Sequence, residues 1–72
     1  MRTRSIKGIQ VRDKVYLRRM FCNEKLILCN DGHWRLGMLG GDLPEDAREF
    51  DDCQAAEDYV ATKDNWKWQG CS

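Results

Sequence analysis

The chain has no hydrophobic run long enough to cross a membrane, and it has very little proline or histidine. It contains one proline and one histidine in 72 residues, and no apolar run approaches the roughly 18 residues of a membrane span. Residues 1–7 are basic, but the apolar stretch that follows a basic start in a signal peptide is missing. We therefore expect a cytoplasmic protein with no membrane partner.

The cysteines do not form a metal-binding or catalytic pattern. Spacings of 7, 24 and 18 positions leave no C-x-x-C pair among Cys22, Cys29, Cys53 and Cys71. Structural zinc sites usually take their ligands in close pairs, and His33 is the only histidine that could complete one. Because no secretory signal is visible, we expect four reduced thiols, no metal and no cofactor. We expect no enzyme either, because no set of acid, base and nucleophile is assembled.

A net charge of zero conceals a strong segregation of charge along the chain. Residues 1–38 carry nine basic and three acidic residues, whereas residues 39–72 carry three basic and nine acidic residues. Two interpretations are open. Either the two halves attract each other in the fold, or the basic half binds nucleic acid or another charged partner.

Length and hydrophobic pattern predict a single small α+β domain over residues 1–72 with a thin core. Residues 1–8 are expected to form a flexible basic arm or an irregular edge strand. Residues 10–38 are predicted to form an antiparallel β-meander of three to four strands, with residues 10–22 as one strand because β-forming residues alternate there. A break at residues 23–24 follows this strand.

A hairpin over residues 25–38 is the clearest β signal, because its Asn-Asp-Gly segment at residues 30–32 tolerates the positive φ of tight turns. Two registers remain open. They differ in the pairs they create: a two-residue turn gives Cys29–Trp34 and Ile27–Leu36, and a three-residue loop gives Leu28–Trp34 and Leu26–Leu36. In both, apolar side chains remain on the second face and must be covered by the chain or by a partner.

One helix is predicted after an acidic Gly/Pro loop at residues 39–47. It covers residues 52–63, with Asp51 as N-cap and Gln54 as its capping-box partner. Helical spacing predicts an outward face of Gln54, Glu57, Asp58 and Ala61, and an inward stripe that packs on one face of the sheet: Cys53, Ala56, Tyr59, Val60 and Lys63. Residues 64–72 form an aromatic tail, and either residues 48–50 or residues 66–68 could add a strand to the sheet.

Residues 47–59 carry two resemblances. The sequence Ala-Arg-Glu-Phe-Asp-Asp-Cys-Gln-Ala-Ala-Glu-Asp-Tyr resembles the strand-to-helix junction of small phage-encoded proteins, among them some anti-CRISPR proteins. The same Phe-Asp, Ala-Ala and Tyr also look like the helix start of three-stranded-sheet DNA-binding domains of the AP2 and integrase-arm kind. That second resemblance implies DNA contacts through Arg18, Arg19, Trp34 and Arg35.

Two functions from different classes follow. We favour a non-enzymatic interaction protein, an anti-CRISPR-like inhibitor that binds a host protein or nucleoprotein complex sterically, because leftover aliphatic and aromatic residues suit a protein partner. The alternative is a sheet-based DNA-binding module or a transcriptional or recombination accessory factor, which needs the acidic helix to lie behind the sheet. A homodimer is compatible with both. The candidate partner contacts are Arg18, Arg19, His33, Arg35 and Trp68.

Overall fold

A five-stranded sheet carries one helix on one of its faces. The computed structural model describes residues 4–37 and 43–71. Along the chain the elements are β1 (Arg4–Val11), β2 (Lys14–Phe21), β3 (Glu24–Leu28), β4 (Trp34–Leu36), α1 (Cys53–Ala61) and β5 (Trp66–Cys71). Their order in the sheet is β4-β3-β2-β1-β5. The α+β class with one helix is confirmed, but β5 runs parallel to β1, so the sheet is mixed.

Strand β1 lies inside the sheet, between β2 and β5. The prediction of a flexible arm over residues 1–8 is therefore wrong for residues 4–8, and residues 1–3 lie outside the described part. Ile6 is fully buried on the side of the helix, and strand geometry sends the neighbouring Lys7 to the opposite face. The arm prediction missed this alternation because it took the basic residues as a sign of solvation.

The predicted strand over residues 10–22 is divided between β1 and β2. The chain reverses at residues 12–13, where Arg12 adopts a φ of 60°, a backbone conformation that is uncommon for a residue with a side chain. A second tight turn contains Cys22 and Asn23 with φ of 50° and 67°, as in a type I′ hairpin turn. The turn shifts the alternation by one residue, so that Val11 shares a face with Tyr16 and not with Val15. The prediction of one continuous strand missed this shift.

The β3–β4 hairpin adopts the register of the three-residue loop. Leu28 pairs with Trp34 and Leu26 pairs with Leu36, while the backbone N–H of Cys29 donates to the carbonyl of His33 at 2.9 Å. The structure also shows where the apolar side chains of the hairpin's two faces are buried. Leu28 belongs to the core beneath the helix and Ile27 to a second cluster on the other face.

A bulge in β5 brings two cysteines together. The register shifts between the pairs Ile6↔Trp68 and Gly8↔Cys71, and the extra residue is absorbed where Gly70 adopts a φ of 91°, which glycine tolerates best. Cys71 thus faces the helix and forms a disulfide with Cys53. The prediction of four reduced thiols is wrong for this pair. The spacing of the cysteines did not show that β5 runs back along the helix and ends beside its first residue.

Helix α1 begins one residue later than predicted and ends at Ala61 rather than Lys63. Asp52, not Asp51, is the N-cap, and its side chain accepts a hydrogen bond from the backbone N–H of Ala55 at 2.8 Å. The predicted orientation is confirmed: the outward residues Gln54, Glu57, Asp58 and Ala61 are exposed, and the inward residues Ala56 and Val60 are buried. Lys63 is exposed, so its inward placement was wrong.

The segment over residues 43–50 covers the end of the sheet where β1 turns into β2. Isolated bridges join Cys29 to Ala47 and Val15 to Phe50, so the strand considered at residues 48–50 is not continuous. Leu43 and Ala47 pack in a cluster on the face away from the helix, together with Tyr16, Ile27, Ile9 and Val11. Of the predicted loop at 39–47, residues 39–42 lie outside the described residues.

Candidate functional site

Lys7 and Arg18 face each other directly across β1 and β2. Paired residues share a face, and alternation places both on the face without the helix, which we call the helix-free face. Like charges that are directly opposite in a sheet destabilise it. Within the described residues, neither side chain has an ion pair or hydrogen bond with an acid. The fold therefore keeps an uncompensated pair of cations on this face.

The neighbouring strands extend this basic character. Met20 pairs with Lys25, and Ser5 pairs with Lys67, so Lys25 and Lys67 lie on the helix-free face as well. In β1 to β5, the strand positions that alternate onto this face contain no Asp or Glu. A solvated sheet face of a small domain normally mixes both signs of charge, whereas these strands supply only one.

A depression lies at the end of the sheet where β1 begins and β2 ends. We call it the basic depression, and nine residues line it: Arg4, Ser5, Lys7, Arg18, Arg19, Met20, Phe21, Asn65 and Gln69. Four of them are cationic, none is acidic, and Met20 and Phe21 are about half exposed at 51% and 52%. The depression thus combines clustered positive charge with accessible apolar surface.

Arg4 and Arg19 form a second group of like charges in the depression. The pKa of Arg19 is lowered from its ordinary value, first by burial and then by the positive charge of Arg4. A guanidinium still carries its charge at neutral pH, because its ordinary pKa exceeds about 12. The guanidinium carbon of Arg19 lies 5.3 Å from the ring centroid of Phe21, a cation–π distance.

Arg18 has an unsatisfied donor at the same site. Its Nε is buried, and it has no hydrogen-bond partner among the described residues. A buried polar group without a partner is costly unless something supplies the missing bond. Arg18 as a whole is only partly buried, so its remaining N–H groups can donate to an anion.

The structure brings together only two of the predicted contact residues. Arg18 and Arg19 both line the basic depression, although they project from opposite faces of β2. His33 is exposed in the β3–β4 turn, at the other end of the sheet. Arg35, close to that turn, donates to Asp31 at 2.8 Å and to Asp46 at 3.2 Å. Its charge is already compensated within the protein.

Trp68 is part of the hydrophobic packing under the helix, where the structure places it against the main core cluster. Gly8 makes room for it, because a Cβ at that position would come within 2.6 Å of both Trp68 Cη2 and Cys71 Sγ. Trp66 packs against the same core, with its ring centroid 5.4 Å from that of Trp34. These tryptophans, including the Trp34 considered for DNA contact, are partly buried and pack against the core.

The ion pairs of the described residues lie away from the basic depression. Lys14 binds Asp51 at 3.1 Å, and Arg35 binds Asp31 and Asp46. The Asp51 and Asp46 pairs join the basic half of the chain to the acidic half, so the two halves do attract each other in part. That attraction does not reach the depression, because Lys7 and Arg18 form none of these bonds.

Sequence reasoning missed Arg4 and Lys7, two of the four cations of the depression. The segment Arg-Ser-Ile-Lys-Gly-Ile-Gln-Val of residues 4–11 did contain the signal of a strand. Ile6 and Gly8 alternate there with Lys7 and Ile9. Lys7 comes to lie beside Arg18 only through the reversal at residues 12–13, because residues 7 and 18 of one continuous strand would alternate onto opposite faces.

The remaining chemistry of the described chain is limited. Over residues 4–37 and 43–71, no group of three or more His, Cys, Asp or Glu side chains is arranged to hold a metal ion. Cys22 is exposed, whereas Cys29 is buried, and burial raises the pKa of its thiol. The described helix is too short and too polar to cross a membrane.

Comparisons with protein-family models, with curated proteins and with solved structures found no match for this chain. The structure of the basic depression is therefore the basis of the proposed function.

Proposed function

We propose that this protein is a non-enzymatic nucleic-acid-binding protein that holds the phosphate backbone in the basic depression. The observation that carries this proposal is the pair Lys7 and Arg18, which face each other across two central strands without an acidic partner among the described residues. A fold tolerates such a pair at a cost in stability. A bound polyanion offsets that cost, because each phosphate compensates one cation and releases condensed counterions.

The position of the helix supports this reading of the charge. Glu57 and Asp58 are exposed on α1, and α1 packs on the face opposite Lys7 and Arg18. A net charge of zero therefore does not prevent an electropositive surface, because the acids of the helix lie behind the sheet. The sequence-based prediction of a nucleic-acid ligand required this position of the acidic helix.

The geometry suits phosphate oxygens. Arginine offers a planar fork of donors that matches phosphate, and lysine adds a compact charge. Arg18 and Arg19 supply two such forks from opposite faces of β2 at the end of the sheet, and Arg4 and Lys7 supply two more cations from β1. The chemistry requires no catalytic group, and binding alone accounts for the arrangement.

Fluorescence anisotropy with labelled single-stranded and duplex oligonucleotides over a salt series tests this proposal. We expect affinity to fall steeply with salt, and the Lys7→Gln and Arg18→Gln variants each to weaken binding and to reduce the salt slope by about one. Arg12→Gln is the matched control, because Arg12 lies in the β1–β2 turn at the other end of the sheet. Absence of salt-dependent binding, or equal losses in all three variants, would refute the proposal.

A second candidate function, steric inhibition of a host protein or nucleoprotein complex, is favoured by a different observation. Leu36 is 55% exposed on β4 and pairs with the partly buried Leu26 on β3. An exposed aliphatic side chain beside another on a sheet suits a protein contact. A pull-down with and without nuclease, using wild type, Leu36→Glu and Lys7→Gln, separates the two functions. Capture that survives nuclease, fails with Leu36→Glu and persists with Lys7→Gln would favour inhibition.

A further inference from the structure

Resting on the proposed nucleic-acid function, we infer that the ligand is single-stranded and that Phe21 stacks on one of its bases. Phe21 is the last residue of β2, lines the basic depression and is 52% exposed. Proteins that bind single strands combine a positively charged groove with aromatic side chains on which bases stack. The depression contains both of these features.

The ring of Phe21 is oriented by its neighbour. The guanidinium carbon of Arg19 lies 5.3 Å from the ring centroid, which fixes a cation on one side of the aromatic ring. Burial of Arg19 holds the guanidinium in place, because the side chain is only partly exposed. An incoming base completes a stack of guanidinium, phenyl ring and base, while a phosphate beside that base reaches Arg4, which lines the same depression.

Neutral polar groups complete the lining beside the cations. Asn65 is held at the site because its carbonyl accepts the backbone N–H of Arg4 at 2.8 Å, which leaves its side-chain amide for other contacts. The Gln69 amide and the Ser5 hydroxyl touch at 3.5 Å, a weak bond that a ligand can replace. Amides and hydroxyls of this kind bond to the edges of unpaired bases.

The shape of the helix-free face argues against a duplex. The major groove of a duplex is about 12 Å wide, and a sheet that reads it must insert strands whose outer face is uncovered. Here Leu43 and Ala47 cover the part of this face around Tyr16 and Ile27, and the exposed acid Glu45 lies in the same covering segment. Among the described residues, the end of the sheet with the basic depression is an open part of this face. In a duplex, moreover, the base faces are already stacked on one another and are not available to Phe21.

The test measures anisotropy with fluorescein-labelled single-stranded DNA and single-stranded RNA of about 16 nucleotides, and with the duplex form of the same DNA. Wild type is expected to bind the single strands more tightly than the duplex, and the two single-strand arms distinguish DNA from RNA as the ligand. Phe21→Leu keeps apolar bulk but removes the ring. Loss of a stack worth about 1–3 kcal/mol should weaken single-strand binding roughly 5- to 140-fold, with the salt slope unchanged because no charge is removed.

Two further variants keep the result interpretable. Phe21→Trp retains an aromatic face and should retain single-strand affinity, whereas Arg12→Gln, in the β1–β2 turn at the other end of the sheet, should leave the preference for single strands unchanged. Duplex binding as tight as single-strand binding, or full affinity in Phe21→Leu, would overturn this inference and leave the proposed function intact. Absence of binding to every oligonucleotide would overturn both.

Discussion

Cys53, the first residue of α1, is joined by a disulfide to Cys71, the last residue of β5. The bond ties the start of the helix to an edge strand that has a single neighbour, β1. It closes a loop across a sequence separation of 18, for which loop-closure entropy predicts a stabilisation of about 3 kcal/mol. The pair is therefore a principal constraint on a thin core.

Replacing both bonded cysteines, Cys53→Ser with Cys71→Ser, should lower the free energy of unfolding by about 3 kcal/mol. Urea unfolding followed by tryptophan fluorescence measures this change. Cys22→Ser is the control, because Cys22 is a free and exposed thiol. An unchanged urea midpoint in the double variant, with the disulfide verified by mass in wild type, would contradict the expected contribution.

Ala56→Asp should unfold the domain. Ala56 is fully buried between helix and sheet, and an unpaired carboxylate there costs several kcal/mol, against a total stability of roughly 4–11 kcal/mol at ordinary per-residue values. Circular dichroism during heating gives the readout. Ala61→Asp introduces the same side chain at an exposed helix position and should melt near wild type. A cooperative transition of Ala56→Asp close to the wild-type midpoint would refute the helix orientation.

Asp52→Ala should cost about 1 kcal/mol, because it removes the N-cap acceptor of the Ala55 N–H. Asp51→Ala is the matched comparison, since its carboxylate only makes an exposed pair with Lys14, and such pairs contribute little. The denaturant midpoints of the two variants show which aspartate caps the helix. If Asp51→Ala were the more damaging change, the cap would have to be reassigned to that residue.

Thiol reactivity should separate the two free cysteines. In the native protein, a thiol reagent is expected to label Cys22 quickly and Cys29 slowly, because Cys22 is exposed while burial raises the pKa of the Cys29 thiol and shields it. Denaturation without reductant should expose a second thiol, and reduction should expose the remaining two. Mass spectrometry of the labelled protein identifies the sites. Rapid native labelling of Cys29 would show that its surroundings are open.

Acid should weaken the β3–β4 turn. The pKa of Asp31 is lowered, first by the hydrogen bond from the His33 N–H and further by Arg35. A carboxyl whose folded pKa lies below its unfolded value, about 3.9, stabilises the fold above that pH and loses this contribution as the pH falls through the folded pKa. Melting temperatures of wild type and Asp31→Ala should therefore differ near neutral pH and converge in acid. A constant difference would exclude the linkage.

The helix could be predicted from the sequence because its signals are local. Spacing of apolar residues placed Ala56 and Val60 inward, and both are buried. The cap was displaced by one residue because Asp51 and Asp52 satisfy the same local pattern. The choice depends on tertiary structure: Lys14, from the first hairpin, binds Asp51 and leaves Asp52 to cap the helix.

The basic depression could be predicted only in part, because tertiary structure brings its residues together. Arg18 and Arg19 lie in the strand that the sequence predicted. Lys7 becomes part of the site only through its pairing with Arg18, which depends on a turn at Arg12 that the predicted strand over residues 10–22 did not include. The disulfide is also non-local, since Cys71 faces Cys53 only after the bulge at Gly70. Local patterns therefore predicted the helix and the β3–β4 hairpin, whereas long-range register decided the site.

The parallel pairing of β1 with β5 has a consequence for how the chain acquires its structure. Arg4 meets Trp66 and Ile6 meets Trp68, contacts that span most of the sequence. During synthesis the antiparallel ribbon of β1 to β4 can form from near neighbours, but the outer edge of β1 stays open until β5 leaves the ribosome. Contacts of such long range slow folding, and an open edge can template aggregation. The vulnerable period of this protein is thus the interval between its first hairpin and its closing strand.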